Sequence, residues 1–295
     1  MPSDLRSVTL KDSEGESINA DNVVGVDESG DRGLGPYVTV AARCSREVDV
    51  ELVASLIENG LQPFKHKSSS IVKYGSLTPE ERADRARSLL EDLDGTAITW
   101  AAIVSQSNPS EMEQAAAAAM AVKKSITHGL STGAVAHGCG ETAVIHDGAK
   151  DEYSNYPQKL RTLLSSCCDS SFQRSICSVY LTYLQEADLV YPQTTVADYI
   201  AAYIREQYEN DEPLHHEWIC EFDSSWIDPA PQPDPIYRLE RFQPVREAEL
   251  QSRVIAWLTG RGIPQDPQPT GQNPYQDLVG EIENECVYEY LRDLE

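Results

Sequence analysis

Long apolar runs are missing from this 295-residue sequence. No stretch reaches the ~18 residues needed to cross a bilayer, which excludes a membrane-spanning helix. The opening MPSDLRSVTLKDSEGES has neither the basic end nor the apolar run of a signal peptide. Lysine is scarce, with 8 among the 24 basic residues and none after Lys159. The 7 cysteines are irregularly spaced, include the adjacent Cys167 and Cys168, and form no Cys-x-x-Cys. An odd count without that spacing argues against a disulfide framework. No internal repeat is present. The cytoplasm is therefore the expected compartment, with no membrane partner.

What is abundant is acid. The chain carries 48 Asp and Glu against 24 Lys and Arg, a net charge of -24 and a sequence pI near 4.5. The excess runs from end to end, and no block of five or six like charges exists. An acidic tail would concentrate its charge. Diffuse carboxylates fit a protein of a salt-loving cytosol, where self-repulsion is tolerated. With 40% hydrophobic residues and a mean hydropathy of -0.43, a packed core is expected. The length allows one large domain or two small ones.

Along the chain, residues 1–22 are polar and read as a flexible leader. Val23-Val24-Gly25-Val26 enters as a short apolar run, then comes a Gly-punctuated turn from Ser29 to Pro36. Tyr37 to Ala42 is rich in β-branched residues, which completes a hairpin signal. Thr78-Pro79-Glu80-Glu81 starts a helix that should run to about Leu93, with Thr78 as cap. Ile98 to Val104 reads as a strand, and Asn108 to Glu111 opens a long Ala-rich helix to Leu130. Ala143 to His146 is a buried-strand pattern ending on Asp147-Gly148. Ile176 to Leu184 is a further strand, and Thr195 to Tyr208 has helical spacing. The order β-β-α-β-α-β-β-α predicts an α/β domain over 23–210, with helices on a mixed sheet. Residues 211–295 read as an acidic, Pro-rich and mainly helical or irregular C-terminal extension. Its two helical stretches are 244–258 and 276–294.

The informative pattern is where acids follow apolar strands. Asp27-Glu28 follow Val23 to Val26, Asp147 follows Ala143 to His146, and Asp188 follows Val179 to Leu184. If these strand ends converge in one sheet, four carboxylates lie within a few Å of one another. Like charges so close repel and raise each other's pKa, unless cations neutralise them. Oxygen-only ligands suit hard cations such as Mg²⁺ or Mn²⁺. Two such ions ~4 Å apart can activate water and stabilise the leaving oxygen of a phosphodiester. Asp-Gly after a strand is also an ordinary turn, so spacing alone leaves the cluster open.

The segment VGVDESGDRGLGPYVTVAA resembles the opening motif of the ribonuclease HII family, where a strand delivers Asp-Glu into a Gly-Arg-Gly turn. Four further segments follow in the family's order: SLTPEERADRARSLL, SNPSEMEQAAAAAMAVKKSI, VIHDGA and ADLVYPQTTVADYIAAYIRE. The resemblance spans about residues 23–208. It implies a ribonuclease H-like mixed sheet flanked by helices. It also implies a metal-binding catalytic quartet at Asp27, Glu28, Asp147 and Asp188, working with two Mg²⁺ or Mn²⁺ ions. The implied activity is endonucleolytic hydrolysis of the RNA strand of RNA–DNA hybrids, so the implied partner is a hybrid or a junction duplex. The turn residues Gly30, Arg32 and Gly33 are the implied substrate contacts. Lys73, in FKHKSSSIVK with Lys65 and Lys67, is a candidate phosphate contact.

The sequence departs from the family in three places, the first being Lys73-Tyr74-Gly75-Ser76 where the family has Asp-Ser-Lys-Lys before Leu-Thr-Pro. The turn reads Gly30-Asp31-Arg32-Gly33, with an inserted acid that puts junction recognition in doubt. Residues 260–270 (GRGIPQDPQPT) only faintly match the family's later Tyr-bearing segment. Asp27-Glu28-Ser29-Gly30 and Leu184 to Asp188 also resemble DESG-type domains of the same fold, which would share the metal site without the hybrid preference. A third expectation is a nucleic-acid-binding or scaffold protein that keeps the fold and self-associates through 211–295. His215-His216 reads as a loop pair, and Trp218 and Trp226 as residues buried against the main domain.

Overall fold

The computed structural model describes residues 8–11, 17–31, 34–45, 52, 55–56, 58–61, 77–105, 108–132, 141–148, 156–167, 179–184, 187–189, 191–227, 236–238 and 241–243. In chain order the strands are β1 (Val8–Lys11), β2 (Ser17–Ala20), β3 (Asn22–Asp31), β4 (Leu34–Ser45), β5 (Thr99–Ser105), β6 (Thr142–Asp147), β7 (Val179–Leu184), β8 (Ile219–Glu221), β9 (Ile236–Arg238) and β10 (Arg241–Gln243). The helices are α1 (Pro79–Leu93), α2 (Glu111–Thr132), α3 (Tyr156–Cys167) and α4 (Pro192–Glu209).

Seven strands form one mixed sheet in the order β8-β5-β4-β3-β6-β7-β9. β3, β4 and β5 pair antiparallel, whereas β3, β6 and β7 pair parallel. The expected α/β architecture is thus found. Alternation along each strand divides the apolar side chains between two faces. Val24, Val26, Val144 and Leu181 pack under α2 and α3. Val38, Val40, Trp100 and Val104 pack under α1 and α4.

Local chemistry accounts for the element starts. Thr78 caps α1 in a full capping box, its Oγ1 accepting from Glu81 N while Glu81 accepts from Thr78 N at 2.9 Å. Ser110 and Glu113 exchange the same pair of bonds before α2. α4 lies directly on β3, because Gly25 has no side chain. A Cβ there would collide with the backbone of Gln193 and Thr194. This close approach fixes the start of α4, and with it the loop that carries Asp188.

Four expectations need correction. The helix α3 is absent from the sequence-based order, which placed two consecutive strands there. β6 and β7 are parallel neighbours, and parallel strands require a crossover connection. Tyr156, Leu160, Leu163 and Leu164, all buried, form its inner stripe. Residues 1–22 are not simply a leader: β1 and β2 pair, and β1 also pairs with β10 in a separate three-stranded sheet. VTLK alternates as a strand should, but it is too short to stand out alone. Residue 210 is not a break in the sheet either. β8 pairs with β5 and β9 with β7, so the following segment forms both sheet edges. Finally, the Gly-rich connection after Glu28 is narrower than expected. β3 runs on to Asp31, which pairs with Leu34, and the three residues Gly35, Pro36 and Tyr37 oppose Gly30 alone. Pro36 has no N–H to give the ladder and Gly35 has φ +79°, so the extra length is taken up as a bulge in β4.

Trp218 is buried, edge-on to Trp100 at 5.5 Å, as expected, whereas Trp226 is only partly buried, against the α2 side. His215 and His216 lie in the loop before β8. The helical stretches 244–258 and 276–294 fall outside the described residues.

Candidate active site

Three of the expected acids lie at the same end of the sheet. Pairing between β3 and β6 closes at Val26 opposite His146, so Asp27 and Asp147 occupy the next step on neighbouring parallel strands. Val23, Ala143 and Ile145 share a cluster with Ala187 and Tyr191. By alternation Asp27 and Asp147 continue that face. Asp188 belongs to a single 3-10 turn, Ala187–Leu189, at the same end. Asp147 ties the turn to the strand: its Oδ1 accepts from Ala187 N at 2.7 Å and from Gly148 N at 2.8 Å. Asp188 is buried, and its carbonyl accepts from Thr195 Oγ1 of α4 at 2.7 Å. Asp27 Oδ1 accepts from Glu28 N at 2.7 Å.

The electrostatics of the group follow from this crowding. Burial raises the Asp147 pKa, the Ala187 amide pulls it back, and the charge of Asp188 raises it further. An acid held above its ordinary range beside a second, buried acid marks this corner as a candidate functional site.

Glu28 goes the other way. It is one residue on from Asp27, so alternation sends it to the α3 face, below Val24 and Val26. There its Oε1 accepts from Tyr156 Oη at 2.8 Å, at the first residue of α3. His146 Nε2 stands 2.9 Å from the same phenol and 3.5 Å from Glu28 Oε1. His146 Nδ1 donates to the Asp147 carbonyl at 2.7 Å, since a carbonyl can only accept. Burial, then the nearby Glu28 charge, push the Tyr156 phenol well above its usual range. It therefore stays protonated and acts as donor. Tyr156, and the turn of Glu28 to this face, were not among the features expected from the sequence. His146 was visible beside Asp147, and the parity of β3, with Glu28 in phase with Val24 and Val26, was the signal available.

The donor chemistry fits a hard divalent cation: Asp27, Asp147 and Asp188 are oxygen donors on one face at one end. Their side chains stop short of a formed coordination set. Among the described residues no three His, Cys, Asp or Glu side chains are grouped so as to hold a metal ion. Gly30 packs its backbone against the Tyr37 ring, where a Cβ would lie 2.6 Å from Cδ2. Arg32, Gly33 and Lys73, the other expected substrate contacts, lie outside the described residues, as do Lys65, Lys67 and the segment 260–270. No described helix is long and apolar enough to cross a membrane.

Neither the family models nor the curated proteins give a match to this chain. Solved structures do. A ribonuclease H2 from Pyrococcus horikoshii OT3 is 15% identical, with 64% of this chain and 74% of that one covered, at a TM-score of 0.40. Bst-RNase HIII in complex with Mn²⁺ is 17% identical, with 72% of this chain and 57% of that one covered, also at 0.40. The ribonuclease HII of a PCNA complex from Archaeoglobus fulgidus is 17% identical, with 64% and 75% covered, at 0.34. The chain thus spans a little over half the length of the ribonuclease HIII it resembles.

Proposed function

We propose that this chain is a divalent-cation-dependent nuclease whose working group is Asp27, Asp147 and Asp188, completed by Glu28. The observation that carries the reading is Asp147. It is half-buried, its pKa is raised by burial and by the charge of Asp188, and Asp27 holds the adjoining place on the same face. A protein gains nothing structural from bringing acids together in a desolvated corner, so a cation is the economical reason for the arrangement.

Asp27, Asp147 and Asp188 would hold Mg²⁺ or Mn²⁺, and Glu28 would add a fourth carboxylate. When bound, such ions supply Lewis acidity toward a phosphodiester and its attacking water. The protein's own share is to aim its carboxylates: the amides of Ala187 and Gly148 hold Asp147, and the turn Ala187–Leu189 seats Asp188. The proposed substrate is the RNA strand of an RNA–DNA hybrid, on the strength of the five ordered motifs.

A second reading is favoured by one observation. The bulged β3–β4 hairpin carries the inserted Asp31 in strand pairing with Leu34, next to the residues expected to contact ribose. An added acid there disfavours a close phosphate and supports a nuclease of other substrate preference. Labelled hybrid, junction-bearing duplex, duplex RNA and single-stranded DNA, each incubated with Mn²⁺ in concentrated KCl, separate the two. Hybrid cleavage supports the first reading. Cleavage of DNA alone supports the second, and cleavage of none of them contradicts both.

A further inference from the structure

We propose that His216 is a pH-sensitive latch on one edge of the sheet. Neutral, its ring accepts the Trp218 amide and holds β8 against β5, and protonation of the ring releases them.

A backbone N–H can only donate, so His216 Nδ1, 3.1 Å from Trp218 N, is the acceptor and carries no hydrogen. The neutral ring therefore has its hydrogen on Nε2, and a further proton has only Nδ1 to take. An imidazolium has two donors and no acceptor, so charging His216 sets donor against donor at the Trp218 amide. That amide stands at the entry to β8. The Trp218 carbonyl accepts from Ala102 N of β5 at 3.0 Å, and Phe222 N donates to the Val104 carbonyl at 2.9 Å. The His216 ring also packs on Trp100, with centroids 4.7 Å apart, and edge-on to the buried Trp218 at 5.7 Å. The ring that would lose its bond is thus also a wall of the Trp100–Trp218 contact.

His128 of α2 stacks on Trp218 at 4.9 Å but is wired the other way. Its Nδ1 donates to the Trp100 carbonyl at 3.0 Å, a bond that a second proton on Nε2 leaves intact. Burial holds both imidazoles below their ordinary range. Glu217 and Asp94 pull His216 part of the way back, and Asp211 and Glu221 line the cavity of about 530 Å³ that its ring borders. For His128 the Trp100 carbonyl and Glu217 pull upward, while Lys124 and His216 push further down. A histidine lowered in the folded state contributes stability that is present above its unfolded value of ~6.5. That stability is lost as pH falls through the lowered value.

Hydrogen exchange of the full chain, corrected for its intrinsic pH dependence, reads the latch at the strand it holds. From about pH 8 to about pH 5, residues 216–222 are expected to lose protection about tenfold relative to β4, the effect of one donor left unpartnered. His216→Asn keeps an acceptor in place, because an Asn carbonyl bonds the N–H two residues on, and it does not titrate. Its protection is expected to match wild type at the higher pH and to change less than about twofold on acidification. His128→Gln is expected to retain most of the wild-type response. Protection of 216–222 that is indifferent to pH in wild type overturns the latch, as does a response that survives in His216→Asn or vanishes in His128→Gln. Should His216→Asn fail to fold, the His216 ring titration in wild type, followed by NMR, decides. A midpoint below ~6.5 is expected, and one at or above it overturns the latch.

Discussion

Asp147 is the residue on which the electrostatics turn, and its behaviour with pH has a definite sign. Its folded-state pKa is raised, chiefly by burial. Between the unfolded value of ~3.9 and that raised value, the folded chain binds more protons than the unfolded one. Stability from this residue is therefore present at low pH and is lost as pH rises through the window. Asp147→Asn keeps an oxygen to accept from Ala187 and Gly148 while removing the charge. In chelator-treated buffer at pH 7 the variant is expected to melt above wild type, and the gap should close as pH falls toward ~4. A variant that melts lower at pH 7 would show that the Asp147 charge is net stabilising, against the effect of its burial. The strands that precede the acids were legible in the sequence, as apolar runs that stop. Which face each acid takes was legible only in part. Asp27 and Glu28 are adjacent, and only their phase against Val24 and Val26 separates them.

At the scale of elements, β3 and α4 form the joint that sets the site. The buried side chains of α4 begin at its first residue, and Gly25 is the opening that lets its backbone settle on the sheet. Gly25→Ala would drive a methyl into the backbone of Gln193 and Thr194. Overpacking of this kind costs at least 1–3 kcal/mol, about the range for inserted core methylenes. Here the obstacle is backbone, so the upper end is expected. Urea denaturation of Gly25→Ala should show a lower midpoint at unchanged slope. A midpoint equal to wild type would mean that α4 is not seated as described. This close approach was not readable beforehand, since a glycine in a strand says only that something comes near. The helix α3 was missed for a different reason. Its stripe of Tyr156, Leu160, Leu163 and Leu164 is short, and the parallel pairing that demands a crossover is a tertiary fact. The capped start of α1 was read correctly because capping is local chemistry, whereas the start of α2 was placed without its Ser110–Glu113 cap being recognised.

At the scale of the whole molecule, composition and topology pull in different directions. The charge of -24 reads as an obstacle to binding a polyanion. In molar salt the Debye length is ~3 Å, so a diffuse acidic surface repels little, and basic steering contributes equally little. Recognition would rest on bridging cations, hydrogen bonds and shape. The segment after residue 210 was expected to be an appendage, yet it supplies both edge strands of the main sheet and the buried Trp218. Strand pairing by three residues is too brief to stand out in a Pro-rich stretch, which is why it escaped the sequence reading. A chain ending at Asn210 would expose the edges of β5 and β7 and uncover Trp100. It is expected to melt lower and to scatter light as aggregates, because bare edges template pairing between copies. A truncated chain that stays monomeric with an unchanged melting temperature would restore the appendage view. The central claim, that acids at the strand ends hold cations for phosphodiester cleavage, is tested most directly by one comparison. Cleavage of a labelled RNA–DNA hybrid by the full chain, with Mn²⁺ in concentrated KCl, is measured beside Asp27→Asn. Wild type is expected to cut and the folded variant to lose more than about a hundredfold, beyond the loss typical of an outer-sphere partner. Equal cleavage by both proteins would contradict it.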